Sequence, residues 1–586
     1  MSLKIMSLGI MKLFRVLCIL GVFASAAWAL DREAFTISKY DLAITLEPQQ
    51  QRLGARGKIS LRNDSAQSQK IVALQISSSL SWRSIRVNGQ AVQFVSQPYI
   101  SDIDHTDALS EAIVTLPAEV KPKESVEIEI GYEGVIPLDA TRLTQIGVPE
   151  EIAKHSSWDQ ITPMFTAVRG AGYVAWYPIT TEAADFSEGN SLFEVADRWK
   201  AREQDASMAV NLCTQVMGSS APHIVMNEPE LREGSGGGYD GHVCRGFHFA
   251  HLGVVTPTFA VGDYESALRT PLNLLSLQGH EAGAATYSNA LDPAMKFVIG
   301  WFGQPSAAVT IADFADPRAT PFESGTLLMV SLAAEDAKLA GTNLVHELVH
   351  SAVPSSRPWV YEGLAHFAEA LYREQQGGRQ AALDFLGAHK DAFVDAEKDL
   401  SASASKNVAE KSAGKSAGQP LATTFDETFY RSKAAYVWWM LRDMVGDDAL
   451  QQAIGKYRVD DDKDPKYVER LIEAAAKRDL GWFFDDWVYQ DRGLPDLRVQ
   501  SAHPWKTEKG VQFVTVTLEN LGNAGAEVPF TIIFDGGEVT KRIEVRAKST
   551  ATTRVETQGA ASEIRINDGS VPDSDPTNKV FTIPAS

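Results

Sequence analysis

The chain reads as a multidomain α+β protein: an antiparallel β region first, a mostly helical region in the middle, and a β-sandwich at the end. Three observations carry this reading. Apolar residues alternate with period two from Tyr40 to about residue 265. They recur with a helical period between about 266 and 496, and alternation returns from Leu497. With 586 residues the chain exceeds what one core serves, so several domains are expected.

Residues 1–29 read as a signal peptide. Lys4, Lys12 and Arg15 make a basic start, "VLCILGVFASA" is a short apolar run, and "AAWA" supplies Ala27 and Ala29 before a cleavage point. The run is shorter than a bilayer span, and no later stretch is long and apolar enough to be one. The expected product is exported, secreted or periplasmic, with no transmembrane segment in the mature chain. Cys213 and Cys244 then remain, compatible with a bridge or with two thiols.

The N-terminal β domain is expected over 30–265. "YDLAITLE" puts Tyr40, Leu42, Ile44 and Leu46 on one face, "GKISLRN" and "VEIEIGY" repeat the rhythm, and Asn88-Gly89 is a hairpin signal. "REGSGGGYDGH" has no strand–GK[ST]–helix context and reads as a flexible loop. His242, Cys244, His248 and His251 lie close in sequence, but the group lacks a second cysteine pair and is not read as a metal site.

Helical segments fill 266–496: "TNLVHELVHSA", "WVYEGLAHFAEALYREQ", "YRSKAAYVWWMLRDMVG" and "PKYVERLIEAAAKRD". The small-residue stretch 401–420 reads as a mobile surface loop, and "DDDKDPK" as a solvated one. The tryptophans of "AYVWWMLRD" read as core. Strands over 497–586, among them "VQFVTVTLEN" and "VPFTIIFDGG", suggest an Ig-like β-sandwich. Net charge is −20, which argues against nucleic acid or an anionic membrane as partner. Nothing in the sequence fixes the oligomeric state.

The chemistry concentrates between Leu344 and Glu369. His346 and His350 stand at i and i+4, about 40° apart around a helix, so both imidazoles can meet one ion. Glu347 is turned off that pair, where a carboxylate can take the proton of a metal-activated water. Glu362, His366 and Glu369 share one face of the next helix, and each is a candidate third ligand. Two histidines and one carboxylate leave zinc an open position for water.

The stretch "HELVH…WVYEGLAHFAE" resembles the gluzincin metallopeptidases of the aminopeptidase N and leukotriene-hydrolase family, whose second motif reads W-L-N-E-G-x-x-x-Y-x-E. Trp359, Glu362, Gly363 and Glu369 match it. "FVIGWFGQPSAAVTIADF" and "RDLGWFFDDWVYQDRGLPDLRV" are similar to the family's segments entering and closing the helical part. The resemblance implies a thermolysin-like, mostly helical catalytic domain over 266–496 that holds one Zn2+ per chain. It implies His346, His350 and Glu362 as ligands, Glu347 as general base, and Glu369 as the partner that orients a ligand histidine. His366 is then a helix-face neighbour of the site. The loop before Glu362 is seven residues shorter than the family's.

Two further residues follow from the same resemblance. The family's oxyanion donor is a tyrosine before a lysine-led helix. Aligning Lys433 without a gap puts that position on Arg431, with Tyr430 one residue earlier; Tyr430 is the preferred donor. In the window of the family's G-x-M-E-N strand stands "TPFESGTLLMV", which makes Glu323 the candidate anchor of a peptide's free α-ammonium. Phe322 and Ser324 depart from that strand's pattern. The expected function is a secreted zinc peptidase acting on peptide substrates, probed first as an aminopeptidase. Its rivals are an endopeptidase or other zinc hydrolase on the same site, and a non-catalytic binding protein.

Overall fold

A computed structural model describes residues 30–189, 191–216, 221–231, 241–334, 337–406 and 420–584. The expected signal segment, the glycine cluster at 232–240 and residues 407–419 of the small-residue stretch lie outside the described residues. Among those described, no helix is long and apolar enough to cross a membrane.

Alternation in the sequence becomes a buried face. Tyr40, Leu42, Ile44 and Leu46 point into the core from the strand Phe35–Glu47, which pairs antiparallel with Arg52–Asn63 in a seven-stranded sheet. A three-stranded sheet of Gln69–Ser77, Ala108–Val120 and Phe94–Ile100 contributes Val72, Leu74 and Val114 to the same core. Asn88 and Gly89 take φ of 53° and 76° between the pairs Val87–Gln90 and Arg86–Ala91, the two-residue hairpin expected. The sheet is not wholly antiparallel, however. Phe35–Glu47 also pairs parallel with Ser207–Gln215, because the chain leaves the sheet after Val135 and crosses over before it returns. Part of that crossover is helix α1 (Ser191–Glu203), whose buried Leu192, Val195, Trp199 and Glu203 follow a helical period that the β reading passed over. Cys213 and Cys244 lie opposite each other on neighbouring strands and are bridged.

The middle region does not begin with helices, as the sequence suggested. It begins with a five-stranded sheet in the order Glu265–Arg269, Leu272–Ser276, Val309–Asp313, Leu327–Val330, Phe322–Ser324. Its inner strands are covered on both faces, so "LNLLS", "VTIAD" and "LLMV" are nearly continuous apolar runs with no alternation to read. Helix α2 (Glu281–Trp301) makes the parallel crossover between the second and third of these. A small core of Trp158, Phe165, Tyr264, Phe314, Phe322 and Met329 joins this sheet to the N-terminal region.

Helices α3 (Ala337–Ala352), α4 (Pro358–Gly377) and α5 (Arg379–Lys406) follow, then a π-helical turn, Thr428–Lys433, that runs into α6 (Ala434–Val445). Residues 401–406 thus end a helix and are not loop. Trp438 and Trp439 are core, with the Trp438 ring stacked on Trp359. A Cβ on Gly363 would come 2.6 Å from the Cβ of Ala434, so only glycine lets α4 and α6 approach this closely. The acidic run is not fully solvated. Asp462 is buried and accepts from Arg357 Nε (2.7 Å) and Tyr457 Oη (2.9 Å), which ties down the residue before α4.

From Leu497 the chain forms two antiparallel sheets, Leu497–Lys506/Gln512–Asn520/Ser549–Thr557 and Gly537–Val545/Ala526–Phe534/Ala561–Ile566/Val580–Thr582. Val516 of one and Phe530 of the other share a core that continues into the helices. Trp487 Nε1 donates to Gly525 O at 2.8 Å across that junction.

Candidate active site

Helices α3 and α4 run past each other so that His346 meets Glu369 and His350 meets Glu362. That register comes from the short turn after Ala352 and brings all four side chains to one layer. The two Nε2 atoms are 3.0 Å apart. Glu362 Oε1 lies 3.8 Å from His350 Nε2, and Glu362 Oε2 3.9 Å from His346 Nε2. On the other side of the pair, Glu323 reaches in from the edge strand Phe322–Ser324, its oxygens 3.6 Å and 3.5 Å from the same nitrogens. Ligand atoms of Glu323, His346, His350 and Glu362 all fall within 4.8 Å of one another.

This group fits zinc. Bonds of about 2.0–2.2 Å in a tetrahedron set neighbouring ligand atoms roughly 3.3 Å apart, close to the spacings found. Glu362 Oε2 and both oxygens of Glu347 are buried without a hydrogen-bond partner among the described residues, a cost that a bound cation with its water would offset. Glu347 is fully buried, and burial followed by the nearby charge of Glu323 pushes its carboxyl well above the usual range.

His346 Nδ1 and Glu369 Oε1 are 2.7 Å apart, which fixes the imidazole with Nε2 toward the cluster. Burial opposes a charge on His346, but hydrogen bonds to Glu323 and Glu369 hold its pKa well above normal. Burial opposes a charge on Glu369 too, yet His346 and His366 hold its carboxyl well below normal. His366 Nδ1 lies 3.3 Å from Glu369 and does not enter the Glu323–His346–His350–Glu362 group. Burial lowers the pKa of His350, whose ring stacks on Tyr361 at 3.9 Å. Tyr361 precedes the "EG" pair, and its role was not foreseen from the sequence.

A cleft enclosing about 210 Å³ opens onto this layer and is lined by Glu323, Glu362, Tyr430 and Arg431. The π-helical turn sets both Tyr430 and Arg431 on its wall. Burial, then the charge of Glu427, pushes the Tyr430 phenol well above its usual pKa, so it stays protonated. Arg431 Nη2 donates to Glu323 Oε2 at 3.2 Å, and its Nε is 3.4 Å from Glu362 Oε2. The opposite wall comes from α1, through Leu192, Phe193, Asp197 and Lys200. Sequence reasoning missed this wall. Its one signal was the helical period of "SLFEVADRWKARE" within a region read as strands.

No family model matches the chain, and no curated protein matches it. Among solved structures it is similar to an M1 zinc metallopeptidase from Deinococcus radiodurans, with 16% identity, 76% of this chain and 92% of that one covered, and a TM-score of 0.44. A mutant M1 zinc metallopeptidase from the same organism, bound to a Tyr-Ser-Ala substrate, is similar at 17% identity, 77% and 94% coverage and a TM-score of 0.46. A two-domain M1 zinc metallopeptidase mutant bound to L-arginine is similar at 17% identity, 76% and 93% coverage and a TM-score of 0.45.

Proposed function

We propose that this chain is a zinc-dependent peptidase, an aminopeptidase exported from the cytoplasm. One observation carries the reading. Two histidine Nε2 atoms and the Glu362 carboxylate converge near Glu347, whose buried oxygens have no hydrogen-bond partner among the described residues. A purely structural metal needs no such base.

His346, His350 and Glu362 would hold the ion, and Glu369 orients His346. When bound, the ion would supply Lewis acidity to the scissile carbonyl and to a water. Glu347 would take a proton from the attacking water as the water oxygen bonds the carbonyl carbon. It then returns the proton to the amine nitrogen as the C–N bond breaks, leaving a carboxylic acid and a free amine. Tyr430 is a protonated donor beside the carbonyl oxygen, which gains negative charge in this step. Glu323 receives the α-ammonium of the substrate, so the first peptide bond is the one presented to Glu347. Export is supported by the signal-like first 29 residues and by the Cys213–Cys244 bridge, which suits an oxidising compartment. We divide the chain at 30–265, 266–496 and 497–586; the five-stranded sheet that starts at Glu265 and the last β region that starts at Leu497 support this reading.

The deciding experiment combines metal analysis with digestion of a mixed peptide library, scoring N-terminal and internal cuts separately. About one zinc per chain with N-terminal trimming is expected. A zinc-free protein with full activity would sink the proposal, and internal cutting of N-blocked peptides would replace "aminopeptidase" with "endopeptidase".

A further inference from the structure

Arg431 stands where a substrate's α-ammonium would arrive. Its hydrogen bond to Glu323 Oε2 is the one its side chain makes among the described residues, although a guanidinium offers five donors. The side chain is 30% exposed and lines the cleft, whereas Glu323 Oε1 is turned inward, 3.5 Å from His350 Nε2. A cation entering from the cleft therefore meets the guanidinium before it meets the carboxylate.

We propose that Arg431 is the resident counter-ion of Glu323, that the α-ammonium of a substrate displaces it, and that the released guanidinium then bonds the carbonyl oxygen of the same residue. This rests on the aminopeptidase reading above. One carboxylate oxygen serves two cations poorly, so the ammonium and the guanidinium compete for it. Covalent geometry keeps an amino acid's α-nitrogen and carbonyl oxygen about 3 Å apart, so a group evicted from the first is already beside the second. Arg431 Nε also lies 3.4 Å from Glu362 Oε2, and Glu427 lines the same cleft; both carboxylates remain when Glu323 changes partner. They keep the guanidinium in the cleft. A free amino terminus is then needed for turnover as well as for affinity. A blocked one leaves Arg431 on Glu323 and the carbonyl without its charged donor.

The test uses zinc-loaded full-length protein. In a Glu347→Gln background, leucinamide binding is measured by calorimetry with and without Arg431→Gln. Removing the competitor should tighten leucinamide about threefold to tenfold and leave N-acetyl-leucinamide unchanged. In the active background, Arg431→Gln should lower KM and kcat together, kcat by at least about tenfold. In Arg431→Ala, millimolar guanidinium should raise both. Glu323→Ala should keep its zinc. Leucinamide binding that weakens or stays the same in Arg431→Gln overturns the exchange, as does metal loss in Glu323→Ala. Protein that takes up no zinc at all fails the peptidase reading instead, so the two failures are distinct.

Discussion

Two clusters of buried charge lie close together in the helical region, and they are built on opposite terms. Lys433, two residues after Arg431, is sealed from solvent. Its Nζ lies 2.5 Å from Glu397 Oε1 on α5 and 2.9 Å from Asp491 Oδ1 in the segment leading to the last β region. Asp491 Oδ1 also accepts from Gly493 N at 3.0 Å. One cation here holds three parts of the fold together, and each carboxylate meets it through one oxygen, although Asp491 Oδ2 is buried without a hydrogen-bond partner among the described residues. The cluster of Glu323, His346, Glu347, His350 and Glu362 has the reverse accounting. Carboxylates crowd two imidazoles, Glu347 has no hydrogen-bond partner among the described residues, and a cleft opens onto the layer. Removing one member of a buried, paired charge cluster is costly to the fold, whereas a carboxylate with neither oxygen bonded, beside an open cleft, marks a place for something the chain does not contain.

The sharpest way to break this contrast is Glu347→Gln. It should lower turnover by about 10²–10⁴-fold while zinc content and unfolding midpoint stay unchanged, because a base is lost and no ligand. Zinc loss in that variant would put Glu347 among the ligands. Tyr430→Phe should cost about 10²–10³ in kcat with little change in KM. Lys433→Met should do the opposite. It strands two carboxylates and should cost about 3–5 kcal/mol in urea unfolding, with zinc retained in the folded fraction. Stability within experimental error of the parent would refute a fold-holding role for the triad.

A finer comparison lies within α4. Glu362→Ala should abolish zinc retention, whereas Glu369→Ala should weaken affinity about 10–100-fold. Metal titration of both variants decides, and a reversed order would make Glu369 the ligand. The smallest effects are on stability away from the site. Burial raises the Glu203 carboxyl to about 7, against the opposing hydrogen bond from Tyr40. A raised pKa means that the folded state holds its proton more tightly. The stabilising contribution is complete below the ordinary carboxyl value and is lost as pH rises through about 7. Glu203→Gln should therefore match the parent near pH 4 and exceed it by roughly 1–3 kcal/mol near pH 8. Parallel urea titrations at the two pH values test the sign. Gly363→Ala should cost about 1–3 kcal/mol through its contact with Ala434.

What the sequence determined by itself was local. Period-two runs such as Tyr40–Leu46 specify a strand with one buried face, and Asn88-Gly89 specifies its turn. The i, i+4 spacing of His346 and His350 fixes two imidazoles to one side of one helix. These are properties of a few residues and the geometry of their own backbone. Tertiary structure decided the rest, because it depends on which surfaces meet. The inner strands of the middle sheet were illegible because burial on both faces erases alternation. Lys433 was legible as a position on a helix, but its two carboxylates come from residues 36 earlier and 58 later in the chain. The wall from α1 and the pairing of Arg431 with Glu323 join segments more than a hundred residues apart. No local pattern encodes a contact of that span, since it exists only once the separate cores have packed.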